Sequence, residues 1–213
     1  KKGLIQRVNN QVYQFVHDRI LQTAYLLTPD EEKKSIHYKI GYILLQKIDI
    51  PSIDQQNLDF IYIFKAAHHL NLGMELLIKN NLRIKGAQIN LLAGKKAKQA
   101  MAYTVALDYL QNGLSFLETE IFETNYDIMF QLNVEYLECL YYCNNYAKAE
   151  ELFEWLLNKA KNNQDRTRLY LIKILFATKD DFNTEAIDVG LKALQELGCN
   201  IPAKPSMLYS FRE

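Results

Sequence analysis

The chain has 213 residues, 49% of them apolar, with 25 Lys and Arg against 25 Asp and Glu, 8 Gly, 4 Pro and 3 Cys. An apolar share near the globular average excludes a disordered chain, and so few glycines and prolines exclude a sandwich or barrel of many short strands, leaving a mainly α fold. Zero net charge excludes the global field of a general nucleic-acid binder, and no apolar run reaches the roughly 18 residues of a membrane span.

In chain order, Leu4 to Val8 and Val12 to Val16 are β-prone runs joined by Asn9-Asn10-Gln11, which predicts a hairpin and the whole β content of the chain. Asp18 stands where an N-cap would open a helix running to Leu27. Thr28-Pro29-Asp30-Glu31 reads as a capping box with Pro at the first helical position. Ile36, Ile40, Ile43, Leu44 and Ile48 then recur at helical spacing up to Pro51. A further helix carries Leu58, Ile61, Phe64, Ala67 and Leu70, with Leu72-Gly73 as its stop.

Beyond residue 80 the chain reads as helix pairs. A Tyr or Asn, two residues, then Ala recurs as Tyr103-x-x-Ala106, Tyr146-x-x-Ala149 and Asn183-x-x-Ala186, each leading into an amphipathic run. The alanines are 43 and 37 positions apart (149 minus 106, 186 minus 149), a period of stacked helical hairpins with a small residue at each close crossing. Partner helices are expected near 83–98, 123–143 and 164–178. A tail with Pro202, Pro205, Met207, Leu208, Tyr209 and Phe211 docks onto something or continues into more helices.

Little in the sequence carries chemistry. Gly94-Lys95 is like the end of a phosphate loop, but Ile89 and Lys96 stand where a Walker A motif needs Gly and Ser or Thr. His68 and His69, adjacent on a helix, point to different faces and do not chelate one metal as an i, i+4 pair does. Cys139, Cys143 and Cys199 are an odd set with no zinc spacing, which suits a reduced, intracellular, soluble protein, and Cys139 with Cys143 reads as core. The expectation is a non-enzymatic chain with neither metal nor cofactor of its own.

Charge is informative once position is kept. From Leu76 to Leu107 the charged residues are Lys79, Arg83, Lys85, Lys95, Lys96 and Lys98, a block of +6. From Asp108 to Glu154 ten acids, Glu118, Glu120 and Glu123 among them, stand against Lys148 alone, a block of −9. Either neighbouring hairpins attract each other through these blocks or expose them as solvated faces, or Lys95, Lys96, Lys98, Glu118, Glu120 and Glu123 form a bipolar docking surface for a protein partner. Nucleic-acid binding by the basic block is the weaker reading, because only Tyr103 could stack on a base.

Phe15-Val16-His17-Asp18-Arg19-Ile20-Leu21-Gln22-Thr23-Ala24-Tyr25-Leu26-Leu27 resembles the region after the ATPase core in a family of large bacterial signalling proteins. In these a protein-kinase-like domain, a STAND-type predicted ATPase, a helical repeat region, a GAF domain and often a histidine kinase lie on one chain. The resemblance continues through Ile36-His37-Tyr38-Lys39-Ile40-Gly41, His69-Leu70-Asn71, Leu91-Leu92-Ala93-Gly94-Lys95-Lys96-Ala97-Lys98 with Ala102-Tyr103, and Ala186-Ile187 with Gly190-Leu191. Gln99-Ala100 departs from it where the family tends to have Ser.

The resemblance implies that residues 1–27 are the carboxyl end of a winged helix, 28–80 connecting helices and 81–213 a tetratricopeptide-like superhelix of helical hairpins. It implies that His17, fixed by Asp18, senses the β-phosphate of ADP, with ATP, ADP and Mg binding elsewhere on a longer parent protein; the plainer reading is that His17 caps or packs the strand end. The opening Lys1-Lys2-Gly3 also reads as a cut from such a parent. The function expected is then a cytoplasmic, non-catalytic module, free of nucleic acid and membrane. It would relay a protein or small-ligand signal to neighbouring ATPase and kinase domains of the same chain. The alternative is the sensor region of a STAND-type transcription regulator.

Overall fold

The computed structural model describes residues 4–9, 13–48, 60–117, 122, 124–178 and 183–199. Among these the chain forms one two-stranded antiparallel sheet and ten helices, a mainly helical fold. They fall into two compact units, Lys1–Ala93 and Gly94–Glu213, with the division inside a helix.

In the first unit β1 (Ile5–Arg7) pairs with β2 (Tyr13–Phe15), Ile5 opposite Phe15 and Arg7 opposite Tyr13. The Val16 N–H donating to the Leu4 carbonyl at 3.0 Å extends the ladder by one bond. Asn10, Gln11 and Val12 of the expected hairpin lie outside the described residues, as do Pro51 and Leu58. Helix α1 (Asp18–Leu27) follows β2 directly, and its N-cap is His17, one residue before the position expected. His17 has the extended backbone of a cap (φ −141°, ψ 140°), so Asp18 is already inside the helix, where its carboxylate favours the positive end of the dipole.

Helix α2 (Asp30–Leu45) also corrects the sequence reading at its start. The Thr28 hydroxyl donates back to the Ala24 carbonyl at 2.8 Å as Thr28 ends α1, no side-chain cap bond is made to α2, and no capping box forms. Pro29 holds the N-cap place, and Asp30, Glu31 and Glu32 put negative charge at the exposed N–H groups of the first turn. Helix α3 (Phe60–Leu72) packs on α2 and buries Ile63, Ala66, Ala67 and Leu70.

Gly73 ends α3 as expected, but its φ of −103° is not the left-handed cap conformation. It is glycine because of contact: a Cβ there would sit 2.8 Å from Cα and N of Tyr38 on α2. A six-residue helix, α4 (Met74–Lys79), follows it; one and a half turns are too short for a hydrophobic period to show in sequence. Helix α5 (Arg83–Gln99) comes next. In its first half Asn90, fully buried, exchanges two amide hydrogen bonds with Asn71 of α3 at 2.7 and 3.0 Å and donates to the Gly86 carbonyl at 2.9 Å. This leaves a core amide satisfied.

The second unit continues through α6 (Tyr103–Ser115), α7 (Tyr126–Tyr142), α8 (Tyr146–Lys159), α9 (Asn163–Ala177) and α10 (Asn183–Glu196). Each helix from α6 onward packs on the next, and α7 also touches α9. The three repeat motifs open α6, α8 and α10, with Ala106 and Ala149 fully buried and Ala186 nearly so, as a close crossing requires. The segment YDIMFQLNVEYLECLYY is apolar around most of its circumference, and α7 is accordingly the buried centre of the unit. Burial pushes its Cys139 thiol up to about 12, so at neutral pH Cys139 behaves as an apolar core residue.

One link geometry recurs. Asn81, Met101 and Asn144 are left-handed (φ 59°, 58° and 56°) and each lies two residues before a helix start. At each the pair of bonds is the same: Asn81 to Ile78 and Leu82 to Leu77, Met101 to Lys98 and Ala102 to Ala97, Asn144 to Tyr141 and Asn145 to Leu140, all at 2.9 to 3.0 Å. These are Schellman caps, which turn the chain within two residues while pairing the last carbonyls. Gly198 (φ 89°) closes α10 in the same way, through its own bond to Gln195 and that of Cys199 to Leu194.

Candidate functional site

Among the residues singled out from the sequence, His17 is exposed at the junction of β2 and α1, and Asp18 is exposed beside it. Neither side chain makes a hydrogen bond or ion pair among the described residues, so Asp18 does not fix the imidazole in this conformation. Gly94 lies within α5 and not in a loop. Its hydrogen faces Leu110, whose Cγ would be 2.6 Å from a Cβ, so this glycine serves helix packing.

The two charge blocks meet inside the second unit. Glu135 of α7 keeps only 5% of its side chain exposed and receives cations from two other helices. Lys98 of α5 approaches its Oε2 at 2.5 Å, Arg168 of α9 donates to Oε1 at 2.9 Å, and Lys95 lies 4.0 Å from Oε1. Lys98 also donates to Glu138 at 2.6 Å. Burial works against the Lys98 charge, but its bonds to the two glutamates outweigh burial and hold the ammonium above its ordinary value. Lys96 is half-buried on the same helix, and Glu118, Glu120 and Glu123 lie outside the described residues.

In the first unit the histidines form a cluster that spacing alone did not reveal. His37 of α2 and His69 of α3 share a hydrogen bond between their Nδ1 atoms at 2.8 Å, and the Tyr25 hydroxyl lies 3.0 Å from His37 Nε2. His68 stands edge-on to both, with ring centroids 6.2 and 5.3 Å away. Burial, then neighbouring positive charge, lowers His37 and His69 below their ordinary value. Among the described residues no group of three His, Cys, Asp or Glu side chains is arranged to hold a metal ion.

A concave feature with converging polar groups lies where α7, α8, α9 and α10 meet. A cavity of about 310 Å³ is lined by Tyr141, Tyr146, Glu150, Lys173, Phe176, Ala177 and Glu185. Tyr141 and Phe176 stack at 4.9 Å and 13°, and Tyr146 tilts against Tyr141 at 6.3 Å. The Tyr141 hydroxyl donates to Glu150 Oε1 at 2.6 Å and Lys173 donates to Oε2 at 2.5 Å. Burial first, then the bond to Glu150, raises Tyr141 far above a normal phenol, so it remains a neutral donor. None of these residues was a candidate by sequence. They come from four helices, and the only local signal was the aromatic density of Tyr141, Tyr142 and Tyr146.

No family model and no solved structure matches the chain. Among curated proteins it is similar to "Hybrid signal transduction histidine kinase G" of Dictyostelium discoideum, with 28% identity over 228 aligned positions. The match takes in 95% of this chain and 6% of that protein's length. The relative shares the histidine-kinase name with the resemblance read above, though that resemblance is to bacterial proteins.

Proposed function

We propose that the chain is a non-catalytic regulatory and interaction module of a signal-transduction protein with a histidine kinase. Its helical hairpins, of tetratricopeptide type, would receive a protein or small-molecule signal and pass it to ATPase and kinase domains of the same polypeptide. The observation that carries this is the match of 95% of the chain to a small part of a hybrid signal transduction histidine kinase. The kinase in that protein's name also favours a kinase output over the DNA-binding output of a transcription regulator.

The fold supplies a physical route for such a relay. Two-residue Schellman links close the turns from α5 to α6 and from α7 to α8, and the Glu135 carboxylate ties α5, α7 and α9, so a ligand that displaces one of them acts on the others. In this reading ATP, ADP and Mg bind on the parent protein, and His17, presented at a hairpin end, is the group offered to the β-phosphate of ADP. The protein acts in the cytoplasm, in keeping with the absence among the described residues of any helix long and apolar enough to cross a membrane.

The test has two parts. The 213-residue chain incubated with labelled ATP is expected to show neither saturable binding nor turnover. In the full-length protein, removal of residues 94–213 is expected to leave the ATP affinity of the kinase unchanged and to shift its autophosphorylation level. Turnover by the chain alone, or an output indifferent to the deletion, overturns the proposal.

A further inference from the structure

The geometry points to a binding site for a small organic cation, a substituted ammonium, in the cavity between α7, α8, α9 and α10. Three aromatic side chains, Tyr141, Tyr146 and Phe176, line it, and the negative faces of such rings attract a cation most strongly where water is displaced. A volume of about 310 Å³ is at the small end of ligand cavities, which suits a compact molecule.

The charges around the cavity select the sign of the ligand. Among the described residues Lys173 is its one basic group, and that ammonium is already matched: it bonds Glu150 Oε2 at 2.5 Å and lies 4.7 Å from the Phe153 ring centroid. The other Glu150 oxygen accepts from Tyr141. Glu185, in the first turn of α10, brings a second carboxylate to the wall and makes no hydrogen bond or ion pair among the described residues. Among the described residues one carboxylate therefore remains uncompensated beside an aromatic wall. An anion would meet Glu150 and Glu185, whereas an alkylammonium gains both Glu185 and the aromatic wall. The inference concerns binding only and stands independently of the signalling proposal.

The test compares choline with its neutral isostere 3,3-dimethyl-1-butanol by isothermal titration against the 213-residue chain. Choline is expected to bind saturably and at least about tenfold more tightly than the alcohol, the difference being the charge. Glu185→Gln, an exposed substitution, is expected to weaken choline by about tenfold without moving the melting temperature. Tyr146→Leu, which keeps an apolar wall but removes the ring, should weaken choline and leave the alcohol unchanged. Absence of saturable heat with choline, equal affinity for the two compounds, or full choline affinity in Glu185→Gln would overturn the assignment. Preferential binding of a lysine-rich peptide over choline would overturn it as well, since it would make the site a protein-docking surface.

Discussion

A hydrogen bond between two imidazole nitrogens needs exactly one proton between them, and this sets the pH behaviour of His37 and His69. If both rings are protonated, two N–H groups face each other across 2.8 Å, with His68 and Lys65 adding positive charge nearby and Tyr25 bonded to the far side of His37. Both histidines titrate below their ordinary 6.5 in the folded chain, so between the folded values and 6.5 the unfolded chain binds more protons. Their contribution to stability is therefore complete above about pH 6.5 and is lost as the pH falls from there through the lowered folded values. The melting temperature should drop between pH 7.5 and 5, and His69→Gln should flatten that dependence; an unchanged slope would exclude the pair as its origin. Met101 offers a second measurement. It holds a left-handed conformation that costs a side chain about 1 kcal/mol, and it is 76% exposed, so little packing is lost on truncation. Met101→Gly should stabilise the chain by about 0.5 kcal/mol after the flexibility of glycine in the unfolded state is counted, a rise of about 1–2 °C. Asn81 and Asn144 tolerate the same conformation better and should gain less. At this scale the sequence was a partial guide: His68-His69 was visible as a pair, but His37, which lies 32 positions from His69, was joined to them only by the packing of α2 on α3.

Helices were more legible than side-chain contacts because their signals are local and repeated. Tyr103, Tyr146 and Asn183 each open a helix as their spacing suggested, and the expected partner helices coincide with α5, α7 and α9 to within three residues at each end. The failures have particular causes. Thr28-Pro29 carries a capping signature, but the same threonine hydroxyl is within reach of the preceding helix's Ala24 carbonyl, and that local competition is invisible to a forward-looking motif. The glycines separate into two kinds that sequence does not distinguish. At Gly73 an added methyl would meet rigid backbone of Tyr38 at 2.8 Å, so Gly73→Ala should destabilise by about 1–3 kcal/mol. At Gly190 the nearest atom is Ile174 Cδ1 at 3.9 Å, and Gly190→Ala should stabilise α10 by about 0.5–1 kcal/mol through helix propensity alone. Urea unfolding of the two variants gives midpoints that move in opposite directions; a common direction would show that the contact at Gly73 does not control the outcome.

For the molecule as a whole, zero net charge concealed a division that the fold then used. The +6 and −9 blocks are separate along the sequence, and the second unit joins parts of them at Glu135, which Lys98, Lys95 and Arg168 approach from α5 and α9. The blocks were plain in the sequence; which acid they converged on was not, because Arg168 lies outside both. The aromatic cavity was equally hidden, since four helices contribute to it and no motif spans them. Glu135→Ala leaves Lys98 half-buried without its nearest carboxylate and should cost about 3 kcal/mol, whereas Lys95→Ala, at 4.0 Å and more exposed, should cost about 1 kcal/mol or less. Equal losses in chemical denaturation would mean that the centre is not organised around Lys98.

The Glu135 centre also carries an evolutionary consequence. A carboxylate that two cations from different helices converge on is hard to alter one residue at a time, because each single change strands a charge that the others were balancing. Positions 98, 135 and 168 should therefore have changed together or not at all among relatives of this chain. A lineage that replaced Glu135 by an apolar residue is expected to have neutralised Lys98 and Arg168 as well, leaving three coordinated substitutions as the record of one physical constraint.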